Sequence, residues 1–72
     1  EQFDVVFNPQ SQRQGEIAVE NSDSLNAVVH YQGYKRRLIL QGWTLESEDY
    51  MGCVFAKGKH SLRLEVRPTA SS

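Results

Sequence analysis

Residues 21–43, NSDSLNAVVHYQGYKRRLILQGW, constrain the fold more than any other part of this chain, because both ends carry the chemistry that starts and stops an α-helix. Asn21, Ser22, Asp23 and Ser24 are successive N-capping residues, and Asp23 sets negative charge against the positive end of the helix dipole. At the other end Lys35, Arg36 and Arg37 fall in the last turns, and Gly42 follows the last periodic residue. The spacing predicts a helix over about residues 23–41. On it Asn26, His30, Gly33, Arg37 and Gln41 share one narrow polar face. Ala27, Tyr31, Tyr34 and Leu38 form the opposite row, with Leu25, Val28, Val29, Ile39 and Leu40 widening the apolar side. Such a helix needs a sheet to cover it.

The same residues admit a second reading, a β-hairpin turning at Gln32-Gly33, which would make the chain all-β. Val28, Val29, Tyr31, Tyr34 and Ile39 favour strands, and glycine inside a helix costs roughly 1 kcal/mol against alanine. Against it, a hairpin needs no caps, and a strand through Lys35, Arg36 and Arg37 would aim a cation at the core. The helix is the preferred reading.

The rest of the chain alternates with the period of strands. Phe3, Val5 and Phe7 share a face in a first strand, expected at an edge, that ends at Asn8-Pro9. Residues 9–15, PQSQRQG, contain no apolar side chain and read as an exposed, mobile loop. In the next strand Ile17 and Val19 face in, while Glu16, Ala18 and Glu20 face out. After Gly42, Trp43 and Leu45 share a face, residues 53–56 make a short strand, Lys57-Gly58-Lys59 turns, and Leu62, Leu64 and Val66 alternate with Ser61, Arg63, Glu65 and Arg67 until Pro68. The order is β-β-α-β-β-β, an α+β two-layer sandwich with one helix on a mostly antiparallel sheet. Trp43 is the expected central plug, with Leu45, Phe55, Leu62, Leu64 and Val66 meeting Leu25, Val28, Tyr31, Tyr34 and Leu38. Residues 1–68 form a single domain and 69–72 a disordered tail.

Seventy-two residues bury only about 60 % of the unfolded surface, which leaves little room for an internal active site. The net charge of -1 offers no basic excess to attract nucleic acid. No run approaches the roughly 18 apolar residues of a membrane span. The chain begins at Glu1 rather than Met, as expected of a mature form or an excised domain, so a membrane link would come only through a lost N-terminal anchor. Cys53 is the single cysteine, which excludes an internal disulfide and a cysteine-based zinc site and reads as a small core residue. The acidic run Glu46, Ser47, Glu48, Asp49 reads as a solvated strand end or turn rather than a metal site. His30 and His60 are 30 residues apart with no nucleophile or metal-ligand spacing, so neither reads as a general base, and no phosphate-binding glycine loop is present. No catalytic residue, cofactor or metal is expected, and the chain is not expected to be an enzyme.

Two resemblances bear on function. The helix, Gly42-Trp43 and the Lys57-Gly58-Lys59-His60 turn resemble small double-stranded-RNA-binding folds and the RNase half of toxin–antitoxin pairs, which implies an RNA-facing surface drawn from Lys35, Arg36, Arg37, Lys57, Lys59, Arg63 and Arg67. His60 opens a later strand than the histidine of those toxins, and the negative net charge opposes the reading. Tyr34, Leu38 and Gly42-Trp43, preceded by Ser22-Asp23-Ser24-Leu25 and followed by Phe55-Ala56-Lys57-Gly58 and Leu62-Arg63-Leu64-Glu65-Val66, resemble small domains of exported bacterial proteins of the lipoprotein type, over residues 15–68. That resemblance implies a binding or structural role in the periplasm or cell envelope and carries over no site residue. The leading expectation is a non-enzymatic module that binds another protein or itself. Its candidate surfaces are the helix face of Asn26, His30, Arg37 and Gln41 and the strand face of Arg63 and Arg67.

Overall fold

A computed structural model describes residues 1–10 and 15–69. It contains β1 (Gln2–Pro9), β2 (Ile17–Asp23), α1 (Ser24–Leu40), β3 (Thr44–Glu48), β4 (Gly52–Lys57) and β5 (His60–Pro68). The strands form one sheet in the order β2-β1-β5-β4-β3, every neighbouring pair antiparallel, and α1 lies across one side. The fold is the expected two-layer α+β sandwich, and the hairpin reading fails because residues 24–40 are helical throughout.

The helix is fixed by its ends. Asp23 takes an extended backbone, and its Oδ1 accepts the Asn26 amide at 2.9 Å, satisfying one of the open donors of the first turn. At the other end the Gly42 amide donates to the Ile39 carbonyl and the Trp43 amide to the Leu38 carbonyl. With Gly42 at φ 96, this is a Schellman closure, and Trp43 and Leu38 supply its customary apolar contact beside the same groove. The Lys57 ammonium adds a bond to the Gln41 carbonyl at 2.8 Å, a cation at the negative end of the dipole.

β1 is not an edge. It lies between β2 and β5, and β2 and β3 are the edges. The reason lies in its side chains, since Val5 and Val6 point to opposite faces and both are buried, a condition a half-covered edge strand would not meet. The β2–β1 register slips at Val19, so Val5 pairs with Glu20 but Val6 with Ala18. This bulge turns Glu20 towards the helix, opposite to the strict alternation expected from sequence. The β4–β5 hairpin closes through a two-residue turn with Gly58 at φ 61 in its first position, the conformation a type II′ turn requires.

Val5, Ala27, Tyr31, Leu38, Cys53, Phe55 and Leu64 make the core, with Phe3, Phe7, Val19, Tyr34, Trp43, Leu62 and Val66 packed around it. Phe55, fully buried, takes the central place expected of Trp43, which is only half-buried at the rim. The expected buried partners Leu25, Val28 and Leu45 are exposed as well. α1 rests mainly on β1, β2 and β5 and reaches β3 only at its margin, so Leu45 on that edge lacks a roof. Cys53 is buried as expected, and desolvation raises its thiol pKa, which leaves it chemically quiet. Thr69 donates its amide to the Gln2 carbonyl at 3.0 Å, while the remainder of the expected tail, 70–72, and residues 11–14 of the expected loop lie outside the described residues.

Two glycines offer opposite tests of this packing. A Cβ at Gly33 would meet nothing within 4 Å, whereas one at Gly52 would lie 2.4 Å from the Leu64 carbonyl oxygen. Gly33→Ala should therefore stabilise the fold by up to about 1 kcal/mol, the difference in helix propensity. Gly52→Ala should destabilise it by on the order of 2 kcal/mol or more, through overpacking against β5. Urea unfolding of the two variants checks both signs.

Candidate functional site

Of the polar helix face expected from sequence, Asn26 and Gln41 stand at the two helix ends and His30 and Arg37 between them. Asn26 is occupied at the N-cap, where its Nδ2 also donates to Asp23 Oδ2 at 3.2 Å. Gln41 is the C-cap, its backbone committed to the helix end and to Lys57. His30 and Arg37 do come together, in a cleft of about 420 Å³ between α1 and β2 that Glu20, Val29, Gly33 and Tyr34 also line. There Tyr34 donates its hydroxyl to Glu20 Oε1 at 3.2 Å, and His30 Nε2 lies 3.9 Å from Glu20 Oε2. The Arg37 guanidinium sits 5.8 Å from the Tyr34 ring centre, and that ring meets Phe7 edge-on at 5.3 Å. Desolvation, then the Glu20 carboxylate, raises the Tyr34 pKa, so the phenol stays a neutral donor. Glu20 and Tyr34 were missed as site residues because the bulge at Val19, which no local residue type announces, decides which way Glu20 points.

Arg63 and Arg67 lie on the other side of the molecule, on the sheet face away from α1, and both are internally paired. Arg63 bonds Glu65 Oε2 at 2.9 Å and Asp49 Oδ2 at 3.2 Å. Arg67 bonds Glu16 Oε2 at 2.6 Å and Glu65 Oε1 at 3.1 Å. The β1–β5 register places Glu65 opposite Val6, with Arg63 and Arg67 at the diagonals. Val6, opposite Glu65 on this face, is only 1 % exposed although among the described residues no second layer of secondary structure covers it, as expected if the flanking aliphatic stems shield it. Lys35 is likewise held by Glu48 at 2.7 Å. The seven cations considered for RNA binding are thus divided between two sides of the sheet, and three of them are ion-paired.

The most unusual surface is the solvent side of α1. Leu25 is 76 % exposed, Val29 61 % and Leu40 79 %, with Val28 and Ile39 each near half. At 3.6 residues per turn, Val29 and Leu40 fall within about 20° of one another around the axis, as do Val28 and Ile39. The sequence reading assigned these five to the sheet, and the structure corrects it. Only Ala27, Tyr31 and Leu38 are buried, because the helix touches the sheet along one ridge and its remaining arc faces water. Their residue types gave the available signal, an apolar arc wider than a single sheet can cover.

Among the described residues, no group of three or more His, Cys, Asp or Glu is placed to hold a metal ion, and no helix is long and apolar enough to cross a membrane. Comparison of the chain with protein-family models, curated proteins and solved structures found no match.

The ion pairs give a pH dependence of defined sign. The Arg67 hydrogen bond holds Glu16 below its usual pKa, Lys35 and then Tyr31 do so for Glu48, and the Met51 amide leads for Asp49, with the Gly52 amide and Arg63 behind it. Each of these carboxyls binds protons less readily folded than unfolded, so its stabilisation is complete above the ordinary carboxylate range and is lost as pH falls through the lowered value. The urea midpoint should hold steady from about pH 8 to pH 5 and fall below about pH 4. Arg67→Gln should make that fall shallower, and an identical profile in the variant would contradict the pairing.

Proposed function

We propose that this chain is a non-enzymatic α+β binding module that presents the solvent side of α1 to another protein. The observation that carries the reading is the exposure of Leu25, Val28, Val29, Ile39 and Leu40 along one helix. Single exposed apolar residues are ordinary on a protein surface, but five on the solvent side of one helix, in two blocks on either side of exposed Gln32 and Arg36, support an interaction site. Covering them would release on the order of 5 kcal/mol of hydrophobic free energy before the costs of association, enough for a modest complex and only if the partner is also apolar there. The cleft of Glu20, His30, Tyr34 and Arg37 borders this surface through Val29 and supplies a polar rim, the usual complement to an apolar centre.

A place in a bacterial envelope assembly belongs to the same proposal and is supported by the resemblance over residues 15–68 alone. The RNA-binding reading is the weaker alternative, because ion pairing takes up the charge of Lys35, Arg63 and Arg67, three of the seven cations it needs.

A photo-crosslinking amino acid at Leu25 or at Leu40, introduced into the chain in its native cells, should give a discrete protein adduct. The same group at exposed Lys59, on the tip of the β4–β5 hairpin, should give none. Absence of an adduct from both helix positions would end the reading.

A further inference from the structure

We infer that the occupant of this helix face is a second copy of the same chain, docked helix against helix and antiparallel, with the two-fold axis passing at Gly33. The inference rests on the reading of α1 as a docking surface and adds the identity of the partner. The exposed apolar residues form two blocks, Leu25, Val28 and Val29 near the helix start and Ile39 and Leu40 near its end. Antiparallel pairing sets the first block of one copy on the second block of the other, twice over, so one surface is its own complement. The midpoint between the blocks is Gly33, which carries no side chain and stands in open space. Two helices crossing there can approach to the short end of the usual interaxial range, about 8 Å.

Charge selects the orientation. The positive residues of α1 gather in its second half, where Glu48 neutralises Lys35 but, among the described residues, no carboxylate pairs with Arg36 or Arg37. A parallel pair would set these guanidiniums against their own copies. The antiparallel pair moves them apart, brings Arg36 towards Gln32 of the other copy, and opposes the two helix dipoles favourably. Area sets the strength. A 17-residue helix is about 25 Å long, and pairing two such faces buries on the order of 1,000 Å² in total, the low end of specific interfaces. The dimer is therefore weak and exchanging, with a dissociation constant in roughly the micromolar range.

Sedimentation equilibrium of the 72-residue chain, from about 1 μM to about 1 mM, should show the mass rising from 8.2 kDa towards twice that value. Val29→Glu and Leu40→Glu change exposed positions, so each should leave the circular dichroism spectrum unchanged and weaken association at least tenfold. Gly33→Leu should also weaken association while the monomer becomes more resistant to heat, a combination that general destabilisation does not produce. When Leu25→Cys and Leu40→Cys chains are mixed and oxidised, the disulfide should join unlike chains, since the native Cys53 is buried. A mass of 8.2 kDa at every concentration, a dimer indifferent to Val29→Glu, or disulfides only between like chains would each overturn the inference. If the chain stays monomeric while the probe at Leu25 captures a different protein, self-association falls and the docking reading stands. If it neither associates nor captures, both fall.

Discussion

The contact on which the structure depends is the ridge of Ala27, Tyr31 and Leu38 set into the hollow formed by Val5, Cys53, Phe55 and Leu64. Small Ala27 lets the helix start approach β1, and Tyr31 fills the middle, where its hydroxyl leaves the core to donate to Glu48 Oε2 at 3.1 Å. Burial, then Cys53 and Glu48, push the Tyr31 pKa far upward, so the group stays a neutral donor at any ordinary pH. Glu48 in turn holds Lys35, one turn further along α1, so a polar clasp at the edge of the core ties the helix to β3. The ridge is narrow because a helix on a sheet this small meets it along one line.

That narrowness organises both outer surfaces. On the far side of the sheet the described residues form no second layer, and Val6 is buried beside the network formed by Glu16, Arg63, Glu65 and Arg67. Paired charges there serve as a lid for the sheet, and exposed ion pairs add little stability of their own. On the helix side the opposite choice was made, with apolar residues where a free-standing domain would carry charge. A chain of this size has little stability to spare, and five apolar side chains left half or more exposed add little to the isolated fold. Their presence makes sense once a second surface covers them.

The fold was legible because its signals were local. Asp23 and Gly42 mark the helix ends by capping chemistry, and the alternation of Leu62, Leu64 and Val66 marks the last strand without reference to anything distant. What the sequence left open depends on pairing. β1 lies inside the sheet because β5 returns to it across nearly the whole chain, which no local pattern encodes. Glu20 points at the helix because of one inserted residue in a ladder. Phe55 takes the centre because β4 lies inside the sheet, whereas Trp43 stands in the connection before the edge strand β3. The candidate site was legible only in part, since His30 and Arg37 meet in the cleft but their partners Glu20 and Tyr34, and the apolar face beside them, follow from how little of α1 the sheet covers.

The most direct test of this account compares two leucines two residues apart on α1. Leu38 is 8 % exposed and Leu40 79 %, although sequence periodicity placed both on the covered side. Urea unfolding at concentrations where the chain is monomeric should show Leu38→Ala losing about 2–4 kcal/mol and Leu40→Ala staying within about 0.5 kcal/mol of the parent. Equal losses for the two variants would mean that the helix is covered on both sides within a single chain, and the one-ridge architecture would be wrong.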